Sequence, residues 1–202
     1  MGLGELLVPV SLAYLAGAVP WSQIAAHRRG VDLRAVDSGT VSGTSLYRVA
    51  GFASLAIAGS LDVAKGAVGP AVAGSERPRL AAAAAAAGVA GHNWSVFLRG
   101  AGGRGISPAL GALGVGAPAG TAVLLGGLVA GRFTRHTALG CFLAYLALIP
   151  AVRRVHGRKA AAYAAAVLVP LLAKRIAGNA APAAWTLRTV TCRVLLDRDP
   201  QP

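Results

Sequence analysis

Acidic residues are scarce in this 202-residue chain, which has seven Asp and Glu against twenty Lys and Arg and a formal net charge of +13. Charged residues of both signs make up only 13% of the sequence, and aromatic residues only 5%. A chain of this composition is too apolar for an ordinary soluble domain. No basic stripe is interleaved with aromatic residues, so the positive charge does not indicate a protein that binds nucleic acid.

Cysteine is also rare. Cys141 lies in an apolar run and Cys192 in the C-terminal tail, and they form no CxxC motif. This pattern favours neither a disulfide framework nor a metal site, so we expect no metal and no cofactor. HExxH and Walker A motifs, a Ser-His-Asp spacing and an obvious carboxylate pair are absent as well, which argues against the common hydrolase and nucleotide-binding classes.

Long apolar runs, in contrast, recur along the chain, and the mean hydropathy is +0.59. Runs of about 20 residues are long enough to cross a bilayer, and their many Ala and Gly residues permit close helix packing in lipid. We therefore predict an all-α fold, a polytopic membrane bundle of about six transmembrane helices, with five to seven allowed. The predicted spans are residues 3–26, 46–74, 80–98, 106–131, 137–152 and 160–173.

The spans predict one membrane domain over residues 1–178, followed by a basic tail over 179–202. The tail is expected to lie at the interface as a short amphipathic helix or to be partly disordered, with a partial seventh span as the alternative. Six spans place loops 27–45, 98–105 and 153–159 on one side, and the positive-inside rule then puts these loops in the cytoplasm. The basic loop 153–159 is expected to contact lipid headgroups.

The stretch Gly91–Gly105, GHNWSVFLRGAGGRG, is the most distinctive in the sequence. Gly102, Gly103 and Gly105 allow tight backbone conformations in which successive N–H groups point at one anion, and Arg104 adds a charged fork for the same phosphate. The alternative is a flexible basic loop between two helices. His92 has two interpretations, a catalytic or binding residue and an interfacial histidine bonded to a carbonyl.

A second polar loop precedes the second span. Hydroxyl groups followed by an arginine suit the binding of phosphate or a small polyol phosphate, although a solvated turn or a helix cap explains the same pattern. The residues concerned are Ser38, Thr40, Ser42, Thr44, Ser45 and Arg48.

Asp62 and Lys65 lie inside the second span at i and i+3, so they share one helix face. Ionisable residues are costly within a bilayer, and a pair there therefore indicates a structural ion pair or a functional site. Together with the broken helices, the pair also allows a transporter of small solutes or ions, although the sequence contains no convincing internal repeat to support one.

The order of these features resembles the PlsY family of bacterial membrane glycerol-3-phosphate acyltransferases. The family's first motif reads approximately GxDLRxxGSGNxGATNxxRxxG, and its second approximately GHxFPxFLxFKGGKG. Matching residues in the first motif are Asp32, Leu33, Arg34, Ser38, Gly39, Thr44, Arg48 and Gly51. Matching residues in the second are Gly91, His92, Phe97, Leu98, Gly102, Gly103 and Gly105, and Asp62, Lys65 and Gly66 fit a DxxKG pattern in the second span.

The resemblance implies an enzyme that moves a fatty acyl group from acyl phosphate to glycerol 3-phosphate and yields lysophosphatidate for phospholipid synthesis. It implies a multi-pass protein of the bacterial inner (plasma) membrane with a cytoplasmic active site, which uses neither acyl-CoA nor a metal, binds no nucleic acid and is surrounded by membrane lipids. Ser38, Arg48 and His92 are the implied catalytic residues. The implied substrate-binding residues are Gly39, Thr44, Asn93, Gly102, Gly103, Arg104 and Gly105.

The sequence departs from the family pattern at several polar positions. Two asparagines of the first motif are Thr40 and Ser45, and the two lysines of the second are Ala101 and Arg104. A third motif, similar to HRENIKRLLAGTE in the family, is reduced here to LLAKRIAGN, and the positions expected to hold its His and Asn fall among the apolar residues 168–171. A serine expected near the fifth span is Ala138. The alternative function is therefore a catalytically degenerate paralogue that binds an anionic lipid or phosphate without turnover.

Overall fold

The computed structural model describes residues 3–36 and 40–200, and the secondary structure assigned there is helical throughout. Two short 3-10 turns, Leu33–Ala35 and Val96–Leu98, interrupt the connections. The helices are α1 (Leu3–Ala18), α2 (Trp21–His27), α3 (Gly43–Ala73), α4 (Pro78–Asn93), α5 (Ile106–Gly116), α6 (Pro118–Phe133), α7 (Thr137–Ala177) and α8 (Leu187–Leu196). The all-α membrane bundle predicted from the hydropathy is therefore confirmed.

Three segments are long and apolar enough to cross a membrane: Leu7–His27, Gly43–Ala73 and Thr137–Ala177. α5 and α6 are apolar but shorter. The predicted span 106–131 is broken at Ala117, where Pro118 starts α6 in the first turn, a position at which the missing N–H of proline costs little. The number of membrane crossings stays a prediction.

The prediction of a loop over 153–159 is wrong. These residues are helical and belong to α7, in which Gly157 alone has non-helical angles, φ 79° and ψ −173°. The two halves of α7 run antiparallel, as a contact between the two ends of this helix shows: the Arg175 guanidinium donates to the Ala138 carbonyl at 2.6 Å. A single glycine thus makes the turn for which the charged sequence RRVHGRK suggested a loop.

The prediction that 153–159 shares a side with loops 27–45 and 98–105 is also wrong. The Ala119 N–H donates to Nε2 of His156 at 3.2 Å, so the turn of α7 lies beside the junction of α5 and α6. His156 and Lys159 line a cavity with Gly74, which follows α3. We call this the far end of the bundle, and we call the opposite end, where α4 ends and α5 begins, the site end.

Small residues allow the helices to approach closely, as is common in lipid. Gly17 of α1 lies against the backbone of Gly88 in α4, and Gly66 of α3 lies against the backbone of Pro108 in α5. A side chain at either glycine would collide with the neighbouring backbone. These contacts join α1 to α4 and α3 to α5, and Gly69 of α3, which lies against Ala13 and Ala84, joins the two pairs into the block that holds the site.

The C-terminal tail contains a short helix, α8, whose Thr186 cap accepts a hydrogen bond from the Thr189 N–H at 3.1 Å. α8 packs against the end of α7 through Arg193, which is 4% exposed. The tail is therefore folded over residues 187–196, and its location at a membrane interface stays a prediction.

Candidate active site at the glycine-rich loop

The glycine-rich loop, residues 94–105, connects α4 to α5 and is tied to the backbone of α4. The Gly103 N–H donates to the His92 carbonyl at 3.2 Å, and the Ser95 N–H donates to the Ala101 carbonyl at 3.1 Å. Gly105, with φ 77°, precedes α5 in the left-handed conformation that glycine adopts without strain. The loop is thus a defined structure and not a flexible connection.

α1 supports the loop from one side. The Tyr14 hydroxyl donates to the Trp94 carbonyl at 2.6 Å, and the Ser95 hydroxyl donates to the Ala18 carbonyl at 2.6 Å. Side-chain hydrogen bonds of this kind satisfy buried carbonyls that the irregular backbone leaves without partners.

The C-terminal end of α7 supports the loop from the other side through Asn179. Its Oδ1 accepts from the Gly102 N–H at 3.3 Å, and its Nδ2 donates to the Gly102 carbonyl at 3.0 Å and to the Thr40 hydroxyl at 3.4 Å. Asn179 therefore joins both polar loops. Since the Gly102 and Gly103 N–H groups have protein partners, anion binding by a backbone nest would require them to exchange these partners.

A small cleft beneath the loop contains a cluster of buried polar side chains. Lys65 Nζ lies 2.7 Å from Asp62 Oδ1, and both side chains are 5% exposed. The Ser22 hydroxyl donates to Asp62 Oδ2 at 3.1 Å, and Nδ1 of His92 lies 3.8 Å from Asp62 Oδ1. The cleft also contains Gly102 and Gly103 and has a volume of only about 10 Å³.

The residues of this cluster come from the end of α1, the start of α2, the end of α4 and the middle of α3. Lys65 donates to the Val19 carbonyl at 2.6 Å, at the break between α1 and α2. Ser22 begins the next turn, in α2, and His92 is in the last turn of α4. The ion pair on α3 therefore holds α1, α2 and α4 at one point, directly below the glycine-rich loop.

Arg104 faces a different cavity, which lies at the site end between the loop and the tail. Its Nε lies 3.0 Å and 3.1 Å from the two carboxylate oxygens of Asp197, and its Nη1 donates to the Lys174 carbonyl at 3.3 Å. Burial raises the pKa of the Asp197 carboxyl, and the positive charges of Arg104 and Arg175 oppose that rise. The cavity has a volume of about 140 Å³ and includes Arg175 and Arg193 in its walls.

Lys174 is fully buried beside this cavity. Its Nζ has no hydrogen-bond partner within the described residues and lies 5.2 Å from the centre of the Trp94 ring. The aromatic face supplies a favourable cation–π contact for an ammonium group that is removed from water.

The polar loop that precedes α3 begins with an ion pair. Arg34 donates to both oxygens of Asp32, at distances of 2.7–3.1 Å, and Gln23 donates to Asp32 Oδ1 at 3.0 Å. The hydrogen bonds from Arg34 lower the pKa of Asp32 to about 2. Leu33 between them is buried, so the pair fixes the entry of the loop.

The hydroxyl groups of the polar loop before α3 make different contacts. Ser42 caps α3 by accepting from the Ser45 N–H at 3.2 Å, and the Ser45 hydroxyl donates to the Thr40 carbonyl at 3.1 Å. Thr44 lies in a groove with Tyr47. Ser38 and Gly39, predicted as catalytic and substrate-binding residues, lie outside the described residues.

The remaining predicted residues occupy distinct positions. Arg48 is exposed in the first part of α3, before the bend at Gly51, and does not line the cleft. Asn93 is fully buried, and its Nδ2 donates to the Pro170 carbonyl at 2.7 Å, so that it joins α4 to α7. Of the predicted site residues, the cleft therefore collects Asp62, Lys65, His92, Gly102 and Gly103.

Sequence reasoning missed three residues of the site: Ser22, Asn179 and Asp197. Each makes its contact across a long sequence separation, with Asp62, Gly102 and Arg104 respectively. The GN pair at 178–179 was visible as the remnant of a motif, but its partner was not, because a pairing across helices leaves no periodic signal in a single sequence.

Comparison with known proteins identifies relatives of this chain. A family model described as Glycerol-3-phosphate acyltransferase matches residues 7–181. Glycerol-3-phosphate acyltransferase 5 of Dehalococcoides mccartyi is 37% identical over 138 residues, which cover 67% of this chain and 59% of that protein. A glycerol-3-phosphate acyltransferase of Thermus thermophilus is 41% identical over 105 residues, which cover 50% of this chain and 52% of that protein. The chain thus spans between about half and three fifths of the length of these curated relatives.

A solved structure has the same fold. It is the crystal structure of PlsY, an integral membrane glycerol 3-phosphate acyltransferase, in its glycerol 3-phosphate form. The TM-score is 0.75 at 25% sequence identity, with 85% of this chain and 88% of the other covered.

Proposed function

The chain belongs to the glycerol-3-phosphate acyltransferase family, whose model covers residues 7–181, and from this we propose that it transfers a fatty acyl group to glycerol 3-phosphate to give lysophosphatidate. The observation that supports this activity most directly is the glycine-rich loop. It lies within the matched residues, is held by hydrogen bonds from α1 and α7, and presents Arg104 beside a cationic cavity. A fixed loop with a charged fork is suited to positioning a phosphorylated substrate.

The proposed donor is acyl phosphate. The glycerol 3-phosphate hydroxyl oxygen attacks the acyl carbonyl carbon, the bond between that carbon and the bridging phosphate oxygen breaks, and inorganic phosphate leaves with the hydroxyl proton. This reaction needs positioning of two phosphate groups and stabilisation of developing negative charge, and it needs no acyl-enzyme. An excess of arginines around the loop supports such a reaction.

The proposed roles of individual residues follow from the family motifs. In this proposal Arg104 holds a substrate phosphate, and Gly102, Gly103 and Gly105 contribute backbone N–H groups only if Gly102 and Gly103 release the Asn179 amide and the His92 carbonyl. Ser38 and Arg48 orient substrate and stabilise charge. Thr44 and Gly39 complete the proposed binding set, and Asn93, which is fully buried and bonded to the Pro170 carbonyl, contributes by positioning α4 against α7. His92 packs against Gly103 and lies 3.8 Å from Asp62, which supports a role in shaping the loop from below.

We propose that the site end faces the cytoplasm of a bacterial plasma membrane. The far end carries only a minority of the cationic side chains, namely Arg77, Arg79, Arg153, Arg154, Arg158 and Lys159. Apart from Lys65, the other Lys and Arg residues belong to loops and helix ends of the site end. The positive-inside rule therefore favours a cytoplasmic site more strongly with the observed turn of α7 than with the predicted loop.

The test is a reconstituted assay. Purified protein in lipid vesicles receives palmitoyl phosphate and labelled glycerol 3-phosphate, and a second reaction receives palmitoyl-CoA as the donor. We expect lysophosphatidate only with palmitoyl phosphate. No product from folded protein with either donor would refute the acyltransferase, and product from the CoA thioester alone would refute the donor.

Matched variants locate the activity. Arg104→Ala removes a charged hydrogen bond worth about 1.5–3 kcal/mol, so kcat/KM should fall by roughly ten- to a hundred-fold. Arg48→Ala should lower it comparably, whereas Arg154→Ala at the far end should retain wild-type activity. Wild-type turnover in Arg104→Ala would remove that residue from the site.

A further inference from the structure

The tail helix α8 lies outside the residues that the family model matches, which end at 181, and yet its C-terminal end contacts the glycine-rich loop. The contact is the ion pair between Asp197 and Arg104. Asp197 is thus an anion, supplied by the chain itself, at the guanidinium group to which the proposed function assigns a substrate phosphate.

The geometry of this contact resembles that of a bound oxyanion. Both carboxylate oxygens of Asp197 lie about one hydrogen-bond length from Arg104 Nε, at 3.0 Å and 3.1 Å. Carboxylate and phosphate groups present similar oxygen pairs to a guanidinium fork. The side chains of Arg104 and Asp197 are 21% and 27% exposed, so solvent reaches part of the pair, while Oδ1 of Asp197 is itself buried.

α8 is anchored independently of that ion pair. Arg193 donates to the carbonyls of Ile176, Ala177 and Ala180 at distances of 2.7–3.0 Å and pairs with Asp199. Arg175 donates to the Leu195 carbonyl at 3.3 Å. The helix therefore stays docked when the Asp197 carboxylate releases Arg104.

The cavity beside Arg104 has a net positive charge. Its walls include Arg104, Arg175, Arg193 and Arg198, opposed by Asp197 and Asp199. The two carboxylates leave an excess of two positive charges, which matches the charge of a phosphate monoester near neutral pH. A phosphate group also offers more acceptor oxygens than the carboxylate that it would replace.

We propose that Asp197 is a built-in competitor for the phosphate-binding position at Arg104, and that a substrate phosphate binds there by displacing the Asp197 carboxylate. The tail then sets the apparent affinity for substrate without taking part in acyl transfer. This inference rests on the proposed function for its substrate, but the displacement itself concerns any phosphate monoester. The displacing phosphate belongs either to glycerol 3-phosphate or to acyl phosphate.

The experiment compares Asp197→Asn with Asp199→Asn in the full chain in lipid vesicles. Asparagine suits position 197, where φ is 57°, because it tolerates the left-handed conformation. Asp199 pairs with Arg193 and not with Arg104, so its variant is the matched control. KM is measured separately for glycerol 3-phosphate and for palmitoyl phosphate, which identifies the source of the displacing group.

We expect Asp197→Asn to lower one of the two KM values by about two- to five-fold with kcat unchanged. A partly exposed ion pair typically changes an affinity by up to about five-fold. Asp199→Asn should lower the same KM by less than Asp197→Asn does, since Asp199 adds its charge to the cavity but pairs with Arg193 and not with Arg104, and Asp197→Glu, which keeps a carboxylate, should remain close to wild type. Unchanged or raised KM values in Asp197→Asn, or a loss of kcat, would overturn the proposal.

Calorimetric titration with glycerol 3-phosphate in the absence of donor separates this proposal from the proposed function. If the wild type forms no lysophosphatidate but Asp197→Asn binds glycerol 3-phosphate more tightly than Asp199→Asn does, the competitor is supported and the acyltransferase is refuted. If the wild type turns over while neither the KM values nor the titration distinguishes the two variants, the acyltransferase stands and the competitor is refuted.

Discussion

Gly103 is the residue at which the glycine-rich loop meets the buried cluster. A Cβ atom there would collide with Nε2 of His92 and would lie 2.8 Å from the Val41 carbonyl oxygen. Neither contact is with the free end of a long flexible side chain, so the loop itself would have to move. The requirement for glycine at this position is therefore one of close approach, since its φ is not positive.

Gly103→Ala should accordingly displace the loop and lower kcat/KM by at least about tenfold, because small misplacements of positioning groups have large effects on rate. Gly126→Ala is the control, since Gly126 has no neighbour within 4 Å in the helical environment of α6; it should be neutral or stabilise by about 0.5–1 kcal/mol. Rates are measured in the reconstituted assay. Equal rates for both variants would show that the loop tolerates the side chain.

The Asp62–Lys65 pair is the most deeply buried ion pair of the described residues, with both side chains 5% exposed. Lys65→Met should destabilise the bundle by about 3–5 kcal/mol, because it leaves the Asp62 carboxylate and the Val19 carbonyl without the ammonium group. Thermal unfolding in detergent measures the loss. The double variant Asp62→Asn, Lys65→Met should be more stable than Lys65→Met alone, and a still less stable double variant would contradict this reasoning.

The Asp32–Arg34 pair gives a prediction about pH. The pKa of Asp32 is about 2, below its ordinary value, so the ionised carboxylate favours the folded state. Its contribution is fully present above the unfolded pKa of about 3.8 and is lost as the pH falls toward 2. The difference in unfolding temperature between wild type and Asp32→Asn should be constant from about pH 5 to 8, should shrink below about pH 4, and should be lost as the pH falls through about 2. A difference that changes near neutral pH would assign the effect to another group.

At the scale of the elements, two glycines give the long helices their shape. Gly51 bends α3 with φ 75° and ψ −177°, and Gly157 turns α7 back on itself with φ 79° and ψ −173°. No neighbour lies within 4 Å of the Cβ position at either residue, so the need for glycine is conformational. These angles belong to a region that is essentially restricted to glycine.

Gly157→Ala should therefore destabilise the protein by about 1–3 kcal/mol through backbone strain alone. The thermal unfolding of Gly157→Ala is compared with that of Val155→Ala, a neighbouring exposed position in the same helix, which should change little. A Gly157→Ala protein as stable as the wild type would show that the turn forms without the glycine.

At the scale of the whole molecule, the turn of α7 determines which surfaces share a side of the membrane. In a background without Cys141 and Cys192, single cysteines at Arg29 and Arg154 should react with a membrane-impermeant maleimide from opposite sides of oriented vesicles. Single cysteines at Arg29 and Arg99 should react from the same side. Labelling of positions 29 and 154 from one side would restore the loop arrangement expected from the sequence.

The sequence by itself determined the class of fold and, through its motifs, the family. Apolar runs of bilayer length require helices, because a bilayer core leaves no other partners for the backbone polar groups. The spacing of Asp62 and Lys65 placed them on one helix face, and in the structure Lys65 Nζ lies 2.7 Å from Asp62 Oδ1. The glycines and Arg104 in 102–105 indicated a phosphate-binding loop and, with the first motif, the family that the comparisons show.

Only the tertiary structure decided where α7 turns, which loops share an end, and which partners the loop has. A run such as RRVHGRK is polar enough for a loop and compatible with a helix, and the choice depends on packing against α5 and α6 at the far end. Asn179 and Asp197 reach the glycine-rich loop across gaps of 77 and 93 positions. Such contacts depend on helix packing in three dimensions, and local sequence patterns carry no signal for them.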